Sequence, residues 1–137
     1  MWGFCKQLVA GILRQEVLKK LEDIYANRYD FLRIAKAMLD DWHNYTCAGK
    51  YLKMIYSQRI KKSDGVKEPI DVGLYTSSYG GQFHFDVYGL SKRKIFGLSG
   101  FAGQQILIDI DAKRIIVVDS LYRNYDWKKI VYGKIKN

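Results

Sequence analysis

The sequence predicts an α+β fold: N-terminal helices, then an antiparallel β-meander of about three strands, then a C-terminal helix packed on the sheet. Three observations carry that expectation. Apolar residues recur at three- and four-residue steps from Ile12 to Ile60, the period of amphipathic helices. Beyond Pro69, the only proline, aromatic and β-branched residues alternate with polar ones, the period of a half-buried strand. A last stretch returns to helical spacing behind an aspartate.

Ile12, Val17, Leu18, Leu21, Ile24 and Tyr25 place one helix near 12–25. Phe31, Ile34, Ala35, Met38, Leu39 and Trp42 place a second near 31–42, with Asp30 positioned to accept from the free amides of its first turn. Leu52, Ile55, Tyr56 and Ile60 mark a third from about 50 to 60, after a break at Cys47-Ala48-Gly49. Ser63-Asp64-Gly65 reads as a loop. Phe83, Phe85 and Val87 alternate with His84, Asp86 and Tyr88, and Ile106, Ile108 and Ile110 alternate with Leu107 and Asp109. Ile115 to Val118 is a short apolar run, which completes three strands. Asp111-Ala112-Lys113 is too short for a parallel crossover and forces an antiparallel hairpin. From Asn124 to Lys134, Asp126 caps a helix with Trp127, Ile130 and Val131 on the face that covers the sheet.

A chain of 137 residues, 48% hydrophobic, suits one domain whose core needs no metal or disulfide. With 23 basic against 14 acidic residues the net charge is +9, so a polyanionic partner has to be weighed. Acidic residues are interleaved throughout, however, and the densest basic runs, Lys61-Lys62 and Lys92-Arg93-Lys94, are short, which disfavours nucleic acid. Cys5 and Cys47 have no Cys or His at ligand spacing, so neither a metal site nor a disulfide framework is expected. His43 and His84 are isolated too, and strand alternation turns His84 toward solvent. Tyr75, Tyr79, Tyr88, Tyr122, Tyr125 and Tyr132 read as core and rim packing of a small sheet. The longest apolar stretch near the N-terminus, Leu8 to Leu13, is too short for a membrane span or an export signal, so the chain as written reads as cytoplasmic.

Three stretches occur in a distinctive order: Tyr29-Asp-Phe-Leu-Arg-Ile-Ala-Lys-Ala-Met-Leu-Asp-Asp41, Gly97-Leu-Ser-Gly-Phe-Ala-Gly-Gln104, and Ile106 through Val118. Together they resemble the C-terminal part of the β-lactamase-related serine hydrolases, the family of penicillin-binding proteins, class C β-lactamases and related esterases. The resemblance runs from about Tyr29 to the C-terminus. It divides the chain into a helical segment, 1–28, that does not match, and a C-terminal part of the family's domain, 29–137, with a partial β-lactamase-like fold. It implies acyl transfer chemistry, in which the serine of a Ser-x-x-Lys motif attacks a carbonyl while that lysine and the tyrosine of Tyr-x-Asn move the proton. A third motif on a sheet strand lines the pocket. Carried over, that motif falls on Leu98-Ser99-Gly100, with the backbone N–H of Phe101 as an oxyanion donor. Leu98 stands where the family carries Lys or His, which favours an ester or amide substrate over a penicillin. Read for themselves, Gly100 and Gly103 suit either close approach of backbone to a ligand or a tight turn.

The resemblance implies no catalytic residue, metal or cofactor in this chain. Ser91 to Lys94 satisfies Ser-x-x-Lys, and Tyr25 to Asn27 and Tyr122 to Asn124 satisfy Tyr-x-Asn. Ser91 falls in a charged turn instead of opening a buried helix, Tyr25 lies near the end of an amphipathic helix, and Tyr122 follows the third motif instead of preceding it. Two readings result. In the first, the chain is a hydrolase fragment that supplies a pocket wall, meets substrate only when complemented by the missing N-terminal part, and self-associates through an exposed sheet edge. In the second, it is a small basic α+β module that binds an anionic partner through Lys61, Lys62, Lys92, Arg93 and Lys94. A self-sufficient hydrolase built on Ser91 and Lys94 is disfavoured by their place in a hairpin turn.

Overall fold

The computed structural model describes residues 26–63, 76–100, 102–120, 122 and 124–137. The helix expected near 12–25, and most of the loop expected at 63–65, lie outside them. Helix α1 spans Arg28–Asn44 and α2 spans Cys47–Ser57. Six strands follow: β1 (Ile60–Lys61), β2 (Thr76–Gly80), β3 (Phe83–Val87), β4 (Ile95–Ser99), β5 (Gln105–Asp109) and β6 (Arg114–Val118). Each pairs antiparallel with the next, in sequence order. A π-helical turn, Lys128–Tyr132, runs into α3, Gly133–Lys136.

The α+β class, the meander and the closing helix agree with the sequence, but the strand count among the described residues is six rather than three. The three expected strands are β3, β5 and β6. The others lack a readable period: β1 has two residues, β2 is Thr-Ser-Ser-Tyr-Gly, and β4 carries Gly97 among its apolar residues. They are strands because neighbours supply their ladder bonds, a tertiary cause that no local pattern carries.

Helix starts differ from the sequence reading in informative ways. Asn27, not Asp30, caps α1: its side-chain oxygen accepts from the amides of Tyr29 and Asp30, and the Asp30 carboxylate accepts from the Asn27 amide in return. Thr46 caps α2 by accepting from the Gly49 amide, so Cys47-Ala48-Gly49 is a first turn rather than a break. Gly49 is there for clearance, since a Cβ would stand 1.9 Å from the Asp41 carbonyl oxygen of α1. Cys47 is disulfide-bonded rather than free, a bond its sequence surroundings did not announce.

Both faces of the sheet are covered. On one, Ala35, Leu39, Leu52 and Ile55 of the helix pair pack on Phe85, Phe96, Ile108 and Ile110. Rings of Trp42, Tyr56, Phe83, Phe85 and Phe96 meet mostly edge to face, with centroids between 4.9 and 6.2 Å. On the other, Trp127, Val131 and Ile135 pack on Val87, Ile95 and Leu107. Asp126 caps this last segment as expected, accepting from the Lys129 amide at 3.0 Å. Ile130 does not join its buried face and is 45% exposed, because the wide π turn aligns residues four apart, not three.

The alternation read along β3 stops at Asp86. Phe83 and Phe85 face the helix pair, but Val87 belongs to the opposite core. Asp86 has φ 56, a left-handed residue within an unbroken register, and it reverses the order of faces. Arg59 fixes that conformation by donating to both Asp86 carboxylate oxygens, at 2.9 and 3.1 Å.

Candidate functional site

The third-motif segment closes β4. Leu98 pairs with Ile106 and Ser99 with Gln105, which puts Ser99 and Gly100 at the exposed end of the sheet and leaves Leu98 half-buried. A reverse turn then leads into β5. The Gly100 amide donates to the Gln104 carbonyl at 2.8 Å and the Gly103 amide to the Gly100 carbonyl at 3.2 Å. The Gln104 side chain accepts from the Ala102 amide at 3.0 Å, and a Cβ on Gly100 would stand 2.5 Å from that same side-chain oxygen. Gly103 has φ 88, which only glycine adopts at little cost, and its carbonyl accepts from the Tyr125 hydroxyl at 2.7 Å. The glycines thus serve a tight, internally bonded turn. Of the two uses open in the sequence, this is the one their geometry accounts for.

The Ser99 hydroxyl donates to the Gln105 side-chain oxygen at 3.1 Å. An amide oxygen takes up no proton at neutral pH, so this contact orients the hydroxyl without activating it. Phe101, assigned the oxyanion amide, lies outside the described residues. Ser91 is exposed in the β3–β4 turn, as expected, and Tyr122 is 79% exposed. Among the described residues no group of three His, Cys, Asp or Glu side chains could hold a metal ion.

Two grooves lie away from this turn. One, about 390 Å³, runs between α1 and β6 and is lined by Lys36, Leu39, Asp40, His43, Lys113 and Ile115, among others. The second, about 430 Å³, is lined by Val87, Tyr88, Trp127, Lys128 and Tyr132 beside the C-terminal helix. Leu98, Ser99 and Gly100 line neither. His84 is half-buried against Tyr79, with ring centroids 5.1 Å apart, instead of standing free in solvent.

The basic run at the β3–β4 turn is mostly engaged. Arg93 pairs with Asp109, which is fully buried, and also donates to the Lys136 carbonyl. Lys94 pairs with Asp111 at 2.9 Å. The Lys94 backbone amide lowers the Asp111 carboxyl below its ordinary range, ahead of the opposing effect of burial, and the lysine ammonium adds to the lowering. Lys62 donates to the Thr76 hydroxyl. The cations read from sequence as a polyanion site are therefore largely bound to this chain's own acceptors. Sequence reasoning missed the Arg59–Asp86 and Arg93–Asp109 pairs because their partners are far apart along the chain, where only the sheet brings them together.

No family model, curated protein or solved structure matches this chain.

Proposed function

We propose that this chain is the C-terminal, wall-bearing part of a β-lactamase-related serine hydrolase acting on an ester or amide. Nucleophile and base come from the N-terminal part that the resemblance implies. The observation that carries the reading is the end of β4: Ser99 and Gly100 stand exposed there, held in fixed geometry by an internally bonded turn, with a hydroxyl that has an orienting partner but, among the described residues, no base. A wall needs that rigidity; a nucleophile would need more. The anionic-partner reading draws no comparable support, because Arg93 and Lys94 are spent on Asp109 and Asp111.

The test is covalent labelling. The chain alone, treated with a fluorophosphonate or a p-nitrophenyl ester, should give no adduct above a denatured control. Co-expressed with an upstream segment bearing Ser-x-x-Lys and Tyr-x-Asn, it should support labelling of that segment's serine, and Ser99→Trp should suppress the labelling. An adduct on Ser99 or Ser91 that disappears with the matching Ser→Ala change would overturn the proposal. So would failure of every such upstream segment to label.

A further inference from the structure

The two edges of the sheet are treated differently. β1 is two exposed residues, Ile60 and Lys61, followed at once by Lys62, a short and charged edge of the kind that discourages strand addition. β6 is five residues long, Arg114-Ile-Ile-Val-Val118, without proline, and its one charged side chain is drawn back to the Lys134 carbonyl at 2.8 Å. Among the described residues no strand lies beyond it.

The outward-facing backbone groups can be identified. The Ile110 amide donates to the Lys94 carbonyl and the Gln104 carbonyl accepts from Gly100, so the even-numbered residues bracketing β5 bond toward β4. The odd residues Gln105, Leu107 and Asp109 then bond toward β6, where they face Val118, Ile116 and Arg114. Ile115 and Val117 therefore turn their N–H and C=O groups outward.

We infer that β6 is the pairing edge of a two-fold homodimer, joined β6 to β6 in antiparallel register with Ile116 on the axis. A two-fold axis relating neighbouring antiparallel strands stands perpendicular to the sheet, so opposed residues keep the same face and their numbers share parity. With Ile116 on the axis, Ile115 of one copy opposes Val117 of the other, and every outward backbone group of the strand finds a partner. The same register sets Lys113 against Asp119 of the second copy, twice by symmetry. Both residues are exposed, and Lys113 lines the groove beside Ile115, where Lys36 is already paired with Asp40, so Lys113 is the cation that the incoming carboxylate meets. Registers shifted by two lose this match. One places Val117 against Lys113, and the other places Ile115 against Asp119. Because β1 offers only a short, charged edge, the pairing closes at two copies and does not propagate. The inference stands on β6 and does not rest on the hydrolase reading.

Sedimentation of the full chain over about 1–100 μM should give a species of twice 16.0 kDa, with dissociation on dilution. Val117→Pro removes an outward donor without touching the ladder to β5 and should leave a folded monomer. Lys113→Asp and Asp119→Lys each place like charges opposite one another twice and should weaken the dimer about tenfold, while the double exchange restores it. The exchange decides the matter even if the proline variant fails to fold. A monomer throughout the range overturns the inference, as does a dimer indifferent to both single charge reversals.

Discussion

Asp86 is where local conformation decides tertiary packing, and the prediction drawn from it separates two contributions. Its left-handed φ of 56 costs an ordinary L-residue about 1–2 kcal/mol, less for Asp or Asn and little for Gly. Against that cost stands a paired carboxylate. Arg59 donates to both oxygens, to the Tyr56 carbonyl at 2.7 Å, and lies 4.1 Å over the Tyr56 ring. The two side chains are only 26% and 13% exposed, so the pair is weakly screened and about 2–3 kcal/mol is a fair value for its charge-assisted bonds. Asp86→Gly loses the pair but not the conformation, a cost of about 2–3 kcal/mol; Asp86→Ala loses both, about 3–4; Asp86→Asn keeps an acceptor and a tolerant backbone, about 1–2. At roughly 3 °C per kcal/mol for a domain of this size, the alanine variant should melt about 10 °C lower, with glycine between alanine and asparagine. Thermal unfolding by circular dichroism reads the order directly. If alanine proves as stable as glycine, the strain argument fails. If asparagine is no better than alanine, neither term is right.

Burial pushes the Asp86 carboxyl up, but hydrogen bonds from Arg59 and Ser78 and the charge of Arg59 outweigh it and leave the group below its ordinary value. Its contribution is therefore fully present above about pH 4 and lost as pH falls through the folded-state value; urea midpoints should drop in that acid range, and Asp86→Asn should flatten the drop. Gly49→Ala must push α1 and α2 apart by roughly 1.5 Å to relieve contact with the Asp41 carbonyl; overpacking of about 2–3 kcal/mol should exceed the ~1 kcal/mol gain in helix propensity, and a rise in melting temperature would refute the tight crossing. Asp109→Ala leaves Arg93 only the Lys136 carbonyl and frees the Ala112 amide, a loss of about 2–4 kcal/mol in chemical denaturation, whereas Arg93→Met with Asp109→Leu should recover most of it. Ser99→Ala removes only a hydroxyl bonded to Gln105 and should change stability by less than about 1 kcal/mol.

Much of the fold was legible because its strongest elements carry their period locally. Ala35 and Leu39 on α1, Leu52 and Ile55 on α2, and the three apolar residues Ile106, Ile108 and Ile110 all stand where their spacing put them. The hairpin at Asp111-Ala112-Lys113 followed from chain length alone, and Asp109 stabilises it further by accepting from the Ala112 amide at 2.9 Å. What was illegible depends on partners distant in sequence. Nothing within Thr76–Gly80 marks a strand until Phe83–Val87 lies beside it, and nothing near Asp86 announces Arg59. A left-handed aspartate inside a strand breaks the period-two pattern silently, so Val87 was assigned to the wrong side of the sheet.

The candidate site was legible only as a shape. Gly100 and Gly103 mark a place where the backbone must bend tightly, and that requirement is the same whether the bend cradles a ligand or simply joins β4 to β5. Gln104 accounts for the first glycine within the turn itself, since its side chain caps the Ala102 amide from inside the turn, occupying the space a Cβ on Gly100 would need. Net charge is ambiguous in a related way. A surplus of nine positive charges says how the molecule interacts at a distance, but whether any cation can grip a partner depends on what already holds it. Arg93 and Lys94 sit in the densest basic run, yet Asp109 and Asp111, sixteen and seventeen residues further on, return to meet them across the sheet. The run is thus a device for closing one end of the sheet, and in the groove beside β6 the same test separates Lys36, which Asp40 already holds, from Lys113, which stands exposed in the turn.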